Sequence, residues 1–173
     1  MIKTERLSIR FVKEDDWKAL KDIWVDFSQS PYAQYDAPHT IDDIEVKAKA
    51  KQWAEVSPKG EHLFYAVCYQ DKMIGTIDFH KIDAGYECGY CFHSDYHGKG
   101  YARESLVAVL STLLGDGSDT CIARTALKNL PSVKLLRTIG FEKIGEESVS
   151  FYTDAQGNNI SFEGGIFAYH LEK

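Results

Sequence analysis

Seven consecutive residues, His97-Gly98-Lys99-Gly100-Tyr101-Ala102-Arg103, have the composition of an anion cradle. Two glycines one residue apart let the backbone fold tightly and leave successive N–H groups pointing outward at the start of a helix. Phosphate is the ligand that such a turn suits. Gly98 and Gly100 have no side chain to block its approach, Ala102 is small enough for the helix to pack near its strand, and Lys99 and Arg103 add charge. A Gly-x-Gly turn that merely reverses the chain has the same letters, so spacing alone leaves both readings open. Two better-known phosphate loops do not match. Gly98-Lys99 is followed by Gly100 rather than Ser or Thr, and position 103 is Arg103 where a dinucleotide fingerprint needs a third glycine.

Cys88-Gly89-Tyr90-Cys91 has the spacing of a dithiol redox motif, and His93 and His97 extend it to a nominal zinc set. Redox chemistry of that kind places its first cysteine at a helix N-terminus, whereas these two alternate along a strand and face opposite ways. An extended strand also cannot fold four ligands onto one ion, so no metal is expected. His39, His62, His80 and His170 read as isolated surface or core residues.

With 173 residues the chain matches one domain of about 150 residues, 1–173. Lys plus Arg number 20 against 26 for Asp plus Glu, a formal charge of -6 with the signs interspersed. Nucleic acid and anionic lipid are disfavoured as partners, and a cationic one is favoured. The longest purely apolar run, Leu106 to Leu110, is far short of the ~20 residues that cross a bilayer, so no membrane association is expected. The opening Met1-Ile2-Lys3-Thr4-Glu5-Arg6 lacks a signal-peptide core, and Cys68, Cys88, Cys91 and Cys121 all lie in strand-like runs. A cytoplasmic protein with reduced, buried thiols is the expectation.

The elements that must position the glycine turn follow from periodicity. Leu7, Ile9 and Phe11 alternate within a strand over Glu5 to Val12; Trp17, Leu20, Ile23 and Trp24 have helical spacing. After an aromatic segment over 28–40, Thr40 is the expected N-cap of a mostly polar helix through about Ala54. Runs from His62 to Tyr69, Met73 to Ile82 and Gly85 to His93 predict three antiparallel neighbours. A helix then buries Ala102, Leu106, Val109 and Leu113 and ends at Gly115 and Gly117. Thr120 to Thr125 is a strand, and Asn129-Leu130-Pro131-Ser132 opens a helix stopped by Gly140. Strands over Ile144 to Phe151 and Ile160 to Leu171 finish a mixed α/β fold.

In that order of elements, His97-Gly98-Lys99-Gly100-Tyr101-Ala102 resembles the cofactor motif of the GNAT (GCN5-related) N-acetyltransferases, with His97 where Gln or Arg is usual. Thr4-Glu5-Arg6-Leu7-Ser8-Ile9-Arg10, Glu87-Cys88-Gly89-Tyr90, Tyr101-Ala102-Arg103-Glu104, Asn129-x-Pro131-Ser132 and Ile139-Gly140-Phe141 are similar, more narrowly, to the ribosomal-protein N-terminal acetyltransferase branch. The resemblance covers nearly the whole chain. It implies a central, mostly antiparallel sheet splayed between Gly85 to His93 and Thr120 to Thr125, with helices on both faces. It further implies acetyl-CoA as cofactor, its diphosphate on the amides of Gly98, Lys99, Gly100, Tyr101, Ala102 and Arg103, and its pantetheine arm on backbone of Tyr90, Cys91 and Phe92. Asn129 is implied as a pantetheine contact, and the same asparagine also suits a helix cap.

Acyl transfer to an amine needs a proton acceptor, stabilisation of a developing oxyanion and a proton donor to the departing sulfur. Period two places Glu87, Gly89, Cys91 and His93 on one face of their strand and Tyr86, Cys88, Tyr90 and Phe92 on the other. Glu87 is thus a candidate base, and an ordinary solvated glutamate is the plain alternative. Many relatives donate from a tyrosine four residues before the Gly-Phe pair, where this chain has Leu136; the ribosomal branch implies Ser132 instead. The resemblance also assigns the acceptor mouth to Tyr32, Tyr35 and Asp36, with the turn near Asp154 and Glu163 closing the other side. Aromatics beside a carboxylate suit a cation. The implied reaction is direct attack by a primary amine in a ternary complex, the amine being a protein N-terminus or a small cationic molecule. A non-catalytic acyl-CoA sensor is the alternative that Leu136 keeps open, and pairing of two copies through the last strands, a homodimer, is the oligomer the pattern permits.

Overall fold

A computed structural model describes residues 1–114 and 120–170. The strands are β1 (Ile2–Lys3), β2 (Leu7–Phe11), β3 (His62–Tyr69), β4 (Lys72–Ile82), β5 (Gly85–Phe92), β6 (Thr120–Ala126), β7 (Glu142–Thr153) and β8 (Asn159–His170). The helices are α1 (Trp17–Ser28), α2 (Asp43–Val56), α3 (Tyr101–Leu113) and α4 (Leu130–Ile139). All eight strands form one sheet in the order β1-β2-β3-β4-β5-β6-β8-β7. Every neighbouring pair is antiparallel except β5 and β6. The α/β class and the mostly antiparallel sheet agree with the sequence; β1, two residues long, is too short for periodicity to register.

Alternation along the strands divides the interior between two layers. On one face Ile77, Phe79, Cys88, Phe92 and Phe167 pack with Leu106, Val109 and Leu110 of α3 and with Val133 and Leu136 of α4. On the other, Ala66, Cys68 and Met73 pack with Leu20, Ile23 and Trp24 of α1 and with Val46 and Ala50 of α2. Helices therefore cover both faces. The α3 stripe is rotated slightly from expectation: Leu106 and Val109 are buried with Tyr101, Ser105 and Leu110, while Ala102 and Leu113 are half-buried. The expected stop at Gly115 and Gly117 lies outside the described residues.

Local chemistry explains the ends that matter. Asp42, not Thr40, caps α2, its carboxylate accepting from the N–H groups of Ile44 and Glu45; Thr40 instead donates to Glu45. At the far end of α4, Gly140 adopts φ 113° and the Phe141 N–H reaches back to the Leu136 carbonyl at 3.0 Å, closing the helix as a glycine C′ residue does.

The parallel pair is the exception that makes room. Residue pairing between β5 and β6 runs from Gly85 opposite Thr120 to Cys88 opposite Ala123 and then stops. Beyond it, β5 follows β4 and β6 follows β8, so Gly89–Phe92 and Arg124–Ala126 diverge. The closed end is tight: a Cβ on Gly85 would lie 2.1 Å from the Thr120 carbonyl oxygen, an approach only glycine permits. The predicted splay is present.

Candidate active site

A cleft of about 340 Å3 runs through this gap. Because the two strands part rather than pair, residues from both faces of the sheet line it, including Glu87 and Tyr90, which alternation sends opposite ways.

At one mouth of the gap, β5 ends, a short 3-10 turn spans Ser94–Tyr96, and the glycine loop leads into α3. Gly98 and Gly100 take φ of 71° and 81°, the left-handed region that L side chains rarely enter. Among the described residues, none accepts a hydrogen bond from the backbone N–H of Gly98, Lys99, Gly100, Tyr101, Ala102 or Arg103. Six unbonded amides at the start of a 13-residue helix fit a diphosphate well. The charged side chains behave differently from one another. Lys99 folds back to donate to the Asp95 carbonyl at 2.8 Å, whereas Arg103 is exposed.

His97 turns inward. Its Nε2 lies 2.7 Å from the carbonyl oxygen of Phe92, tying the loop to the end of β5. The His93 N–H donates to the Ile74 carbonyl at 3.0 Å, and bonded pairs alternate along an antiparallel ladder. The backbone groups of Tyr90 and Phe92 therefore point into the gap, while those of Cys91 point to Thr76. Of the three residues expected to offer backbone to the cofactor arm, Tyr90 and Phe92 face the gap, the Phe92 carbonyl being bonded to His97, and Cys91 faces β4.

Deeper in the cleft, the Tyr90 hydroxyl meets the Ser132 hydroxyl at 2.6 Å, a bond that crosses from β5 to the first turn of α4. Burial pushes the Tyr90 phenol above its ordinary value, opposed by the bond with Ser132, so the phenol keeps its proton at neutral pH. Asn129 caps α4, its Oδ1 accepting from the Ser132 N–H at 3.3 Å, and also lines the cleft. Leu136, where many relatives carry tyrosine, is fully buried in the core.

On the opposite face, Glu87 Oε1 lies 3.3 Å from Arg124 Nε, and Arg124 Nη1 lies 3.1 Å from Glu147. Arg124 and Glu147 were not picked out by sequence, although the parallel register of β6 places Arg124 on the Glu87 side. The loop between α1 and α2 leans over this face. Tyr32, Tyr35 and Asp36 all line the cleft, Tyr35 packs edge-on against Phe162 of β8 at 5.2 Å, and Tyr152 of β7 donates to the Ala33 carbonyl at 3.4 Å. Asp154, expected near the mouth, accepts from the N–H groups of Gln156 and Asn158 and holds the β7–β8 turn instead.

The rival constellations separate. Cys88 is buried in the layer of α3 and α4, while Cys91 packs on the other layer. Burial pushes the Cys91 thiol up to about 12, so it keeps its proton at neutral pH. The histidines read as isolated have partners: His39 stacks on Trp24 at 4.9 Å, His62 and His80 meet through their Nδ1 atoms at 3.0 Å, and His170 Nδ1 lies 3.1 Å from the Thr120 hydroxyl. Register, not sequence distance, brings the middle pair together.

Residues 6–142 match the acetyltransferase (GNAT) domain family. The chain belongs to that family. It is accordingly an acetyl-CoA-dependent N-acetyltransferase, and family membership supports transfer over mere sensing of the acyl donor. The GNAT relative YnaD of Bacillus subtilis (strain 168), an uncharacterized N-acetyltransferase, is 29% identical over 147 residues, covering 83% of this chain and 84% of its own. Two solved GNAT structures share the fold. The ribosomal-protein-S5-alanine acetyltransferase of Vibrio fischeri superposes with a TM-score of 0.82 at 18% identity, over 99% of this chain and 96% of the other. The microcin C7 self-immunity acetyltransferase MccE, in complex with acetyl-CoA and AMP, gives 0.82 at 14% identity, over 97% and 94%. Among the described residues no helix is long and apolar enough to cross a membrane.

Proposed function

We propose that this acetyltransferase acts on a cationic primary amine, with a protein N-terminal α-amine as the first candidate and a small polyamine, amino acid or aminoglycoside-like molecule as the second. The observation that carries the reading is the union of Glu87 and Ser132, from opposite faces of the sheet, in one cleft opened by the β5–β6 gap. Asp36, Glu87 and Glu147 line it against one guanidinium, Arg124, and Phe27, Tyr32, Tyr35, Phe151 and Phe162 surround them. Carboxylates and ring faces attract an ammonium group and offer little to an anion. The ribosomal-protein acetyltransferases among the structural neighbours favour a protein N-terminus, and MccE favours a small molecule.

Acetyl-CoA supplies the activated acetyl thioester. The amides of Gly98 to Arg103 hold its diphosphate, and the gap-facing backbone of Tyr90 and Phe92 aligns the pantetheine arm, with Asn129 beside it. Glu87, held at one oxygen by Arg124, takes the proton that the bound ammonium must lose before its nitrogen can attack, directly or through a water. The Tyr90–Ser132 pair donates a proton to the departing sulfur. For each turnover one of the two protons leaving the ammonium returns to sulfur and one reaches solvent.

Four cysteines without disulfides suit a reducing compartment, the cytoplasm. The exposed edge strand β7 is where a second copy would pair. The acceptor is found by measuring thiol release from acetyl-CoA with a panel of N-terminal peptides, polyamines, amino acids and aminoglycosides. Turnover on peptides or small cationic amines agrees with the proposal; turnover confined to anionic or neutral amines contradicts it.

A further inference from the structure

The N-terminal segment does more than begin the sheet. Arg6 reaches from the residue before β2 to the glycine loop 93 positions away and donates from Nη1 to the Lys99 carbonyl at 2.9 Å. Its Nε and Nη2 both meet Glu104 Oε2 at 2.7 Å, its backbone N–H donates to Glu104 Oε1 at 3.1 Å, and Thr4 donates to the same oxygen. The guanidinium also lies 4.6 Å over the ring of Tyr101, the first residue of α3. Burial works to raise the Glu104 carboxyl, and the bonds from Thr4 and Arg6 with the Arg6 charge hold it below its ordinary value.

This fork has a geometric consequence for the loop. The Lys99 carbonyl and the Gly100 N–H belong to one planar trans peptide and point in opposite directions. Fixing that oxygen on Arg6 turns the Gly100 N–H away from the N-terminal segment and leaves it free. A Cβ on Gly100 would sit 3.4 Å from Arg6 Nη2, so the cation also lies beside the loop.

We infer that Arg6, anchored by Glu104 and Thr4, is a positioning residue for diphosphate binding: it orients the peptide between Lys99 and Gly100 and brings positive charge to the loop. The inference rests on the placement of the CoA diphosphate proposed above. Lysine keeps the charge but not the fork, so the two contributions are separable.

The test compares CoA with S-acetyl-pantetheine, which has the arm but no diphosphate, by equilibrium titration of the full chain. Arg6→Ala is expected to weaken CoA binding about tenfold or more, the size of a lost charge-assisted hydrogen bond. S-acetyl-pantetheine binding should stay within about twofold, and Arg6→Lys should recover part of the CoA loss. Equal losses for both ligands, or none for CoA, overturn the inference. If Arg6→Ala melts below the titration temperature, Glu104→Gln, which weakens the anchor while keeping Arg6, should show the same ligand selectivity at smaller size; unselective loss overturns it. A separate outcome identifies failure of the underlying placement: wild-type protein that binds both ligands equally well gives the diphosphate no role at the loop.

Discussion

Arg124 stands between Glu87 and Glu147 and holds both carboxylates along one side of the cleft. Replacing Glu87 by Gln keeps the size of the side chain and removes the proposed proton acceptor. In steady-state assays with a saturating amine, kcat should fall about a hundredfold, while CoA affinity in a separate titration changes less than about twofold. A variant with normal kcat and an unchanged pH–rate profile removes Glu87 as the base. The two hydroxyls are hydrogen-bonded across the gap, and if the pair is the proposed donor, Tyr90→Phe and Ser132→Ala should be non-additive in kcat, the double variant costing little more than the worse single one. Strictly additive losses in that cycle contradict a shared donor. Glu87 was legible as a candidate from the period of its strand and Asn129 as a helix cap, whereas the assignment of Asn129 and Ser132 to the site came only with the resemblance. The ion pairs of Arg124 and the side-chain bond of Tyr90 were not legible, since their partners are distant in sequence and meet only through the tertiary fold.

At the scale of elements, the glycine loop and the parting strands were legible for different reasons. Positive φ at Gly98 and Gly100 follows from residue type, whereas the gap follows from element order and from the resemblance carried by several short motifs. Helix boundaries set by competition between neighbouring caps were less legible: Asp42 outcompetes Thr40 because its carboxylate reaches two N–H groups at 3.0 Å. The loop makes a prediction of its own. Gly100→Val forces a β-branched residue to φ 81°, which costs about 1–2 kcal/mol or more and disturbs the amides proposed to bind the diphosphate. A lower melting temperature together with at least about tenfold weaker CoA binding is expected; full affinity in that variant would detach the loop from the ligand.

The whole molecule carries a pH dependence that starts at His80, which pairs with Glu87 across β4 and β5. His80 donates from Nε2 to Asp78 Oδ2 at 3.0 Å, and this bond raises the His80 pKa above its ordinary value, against the lowering effect of burial. A raised folded value means that the stabilisation is complete below the unfolded pKa of about 6.5 and is lost as pH rises through the folded value. Urea unfolding between about pH 6 and pH 8 should therefore show stability falling with pH. The effect should stay below about 1 kcal/mol because His80 is partly exposed. Asp78→Asn should flatten that slope; an unchanged slope would assign it to other groups.

The proposed chemistry depends on free main-chain donors at the head of α3 and on a gap that guides an extended ligand past Glu87 and Ser132. Backbone amide NMR during titration with CoA addresses both at once. The largest shifts are predicted at Gly98, Gly100, Tyr101, Ala102 and Arg103, followed by Tyr90 and Phe92, with Cys91 moving less because its backbone faces β4. Saturable binding that leaves the loop amides unmoved, with shifts confined to another surface, would contradict it.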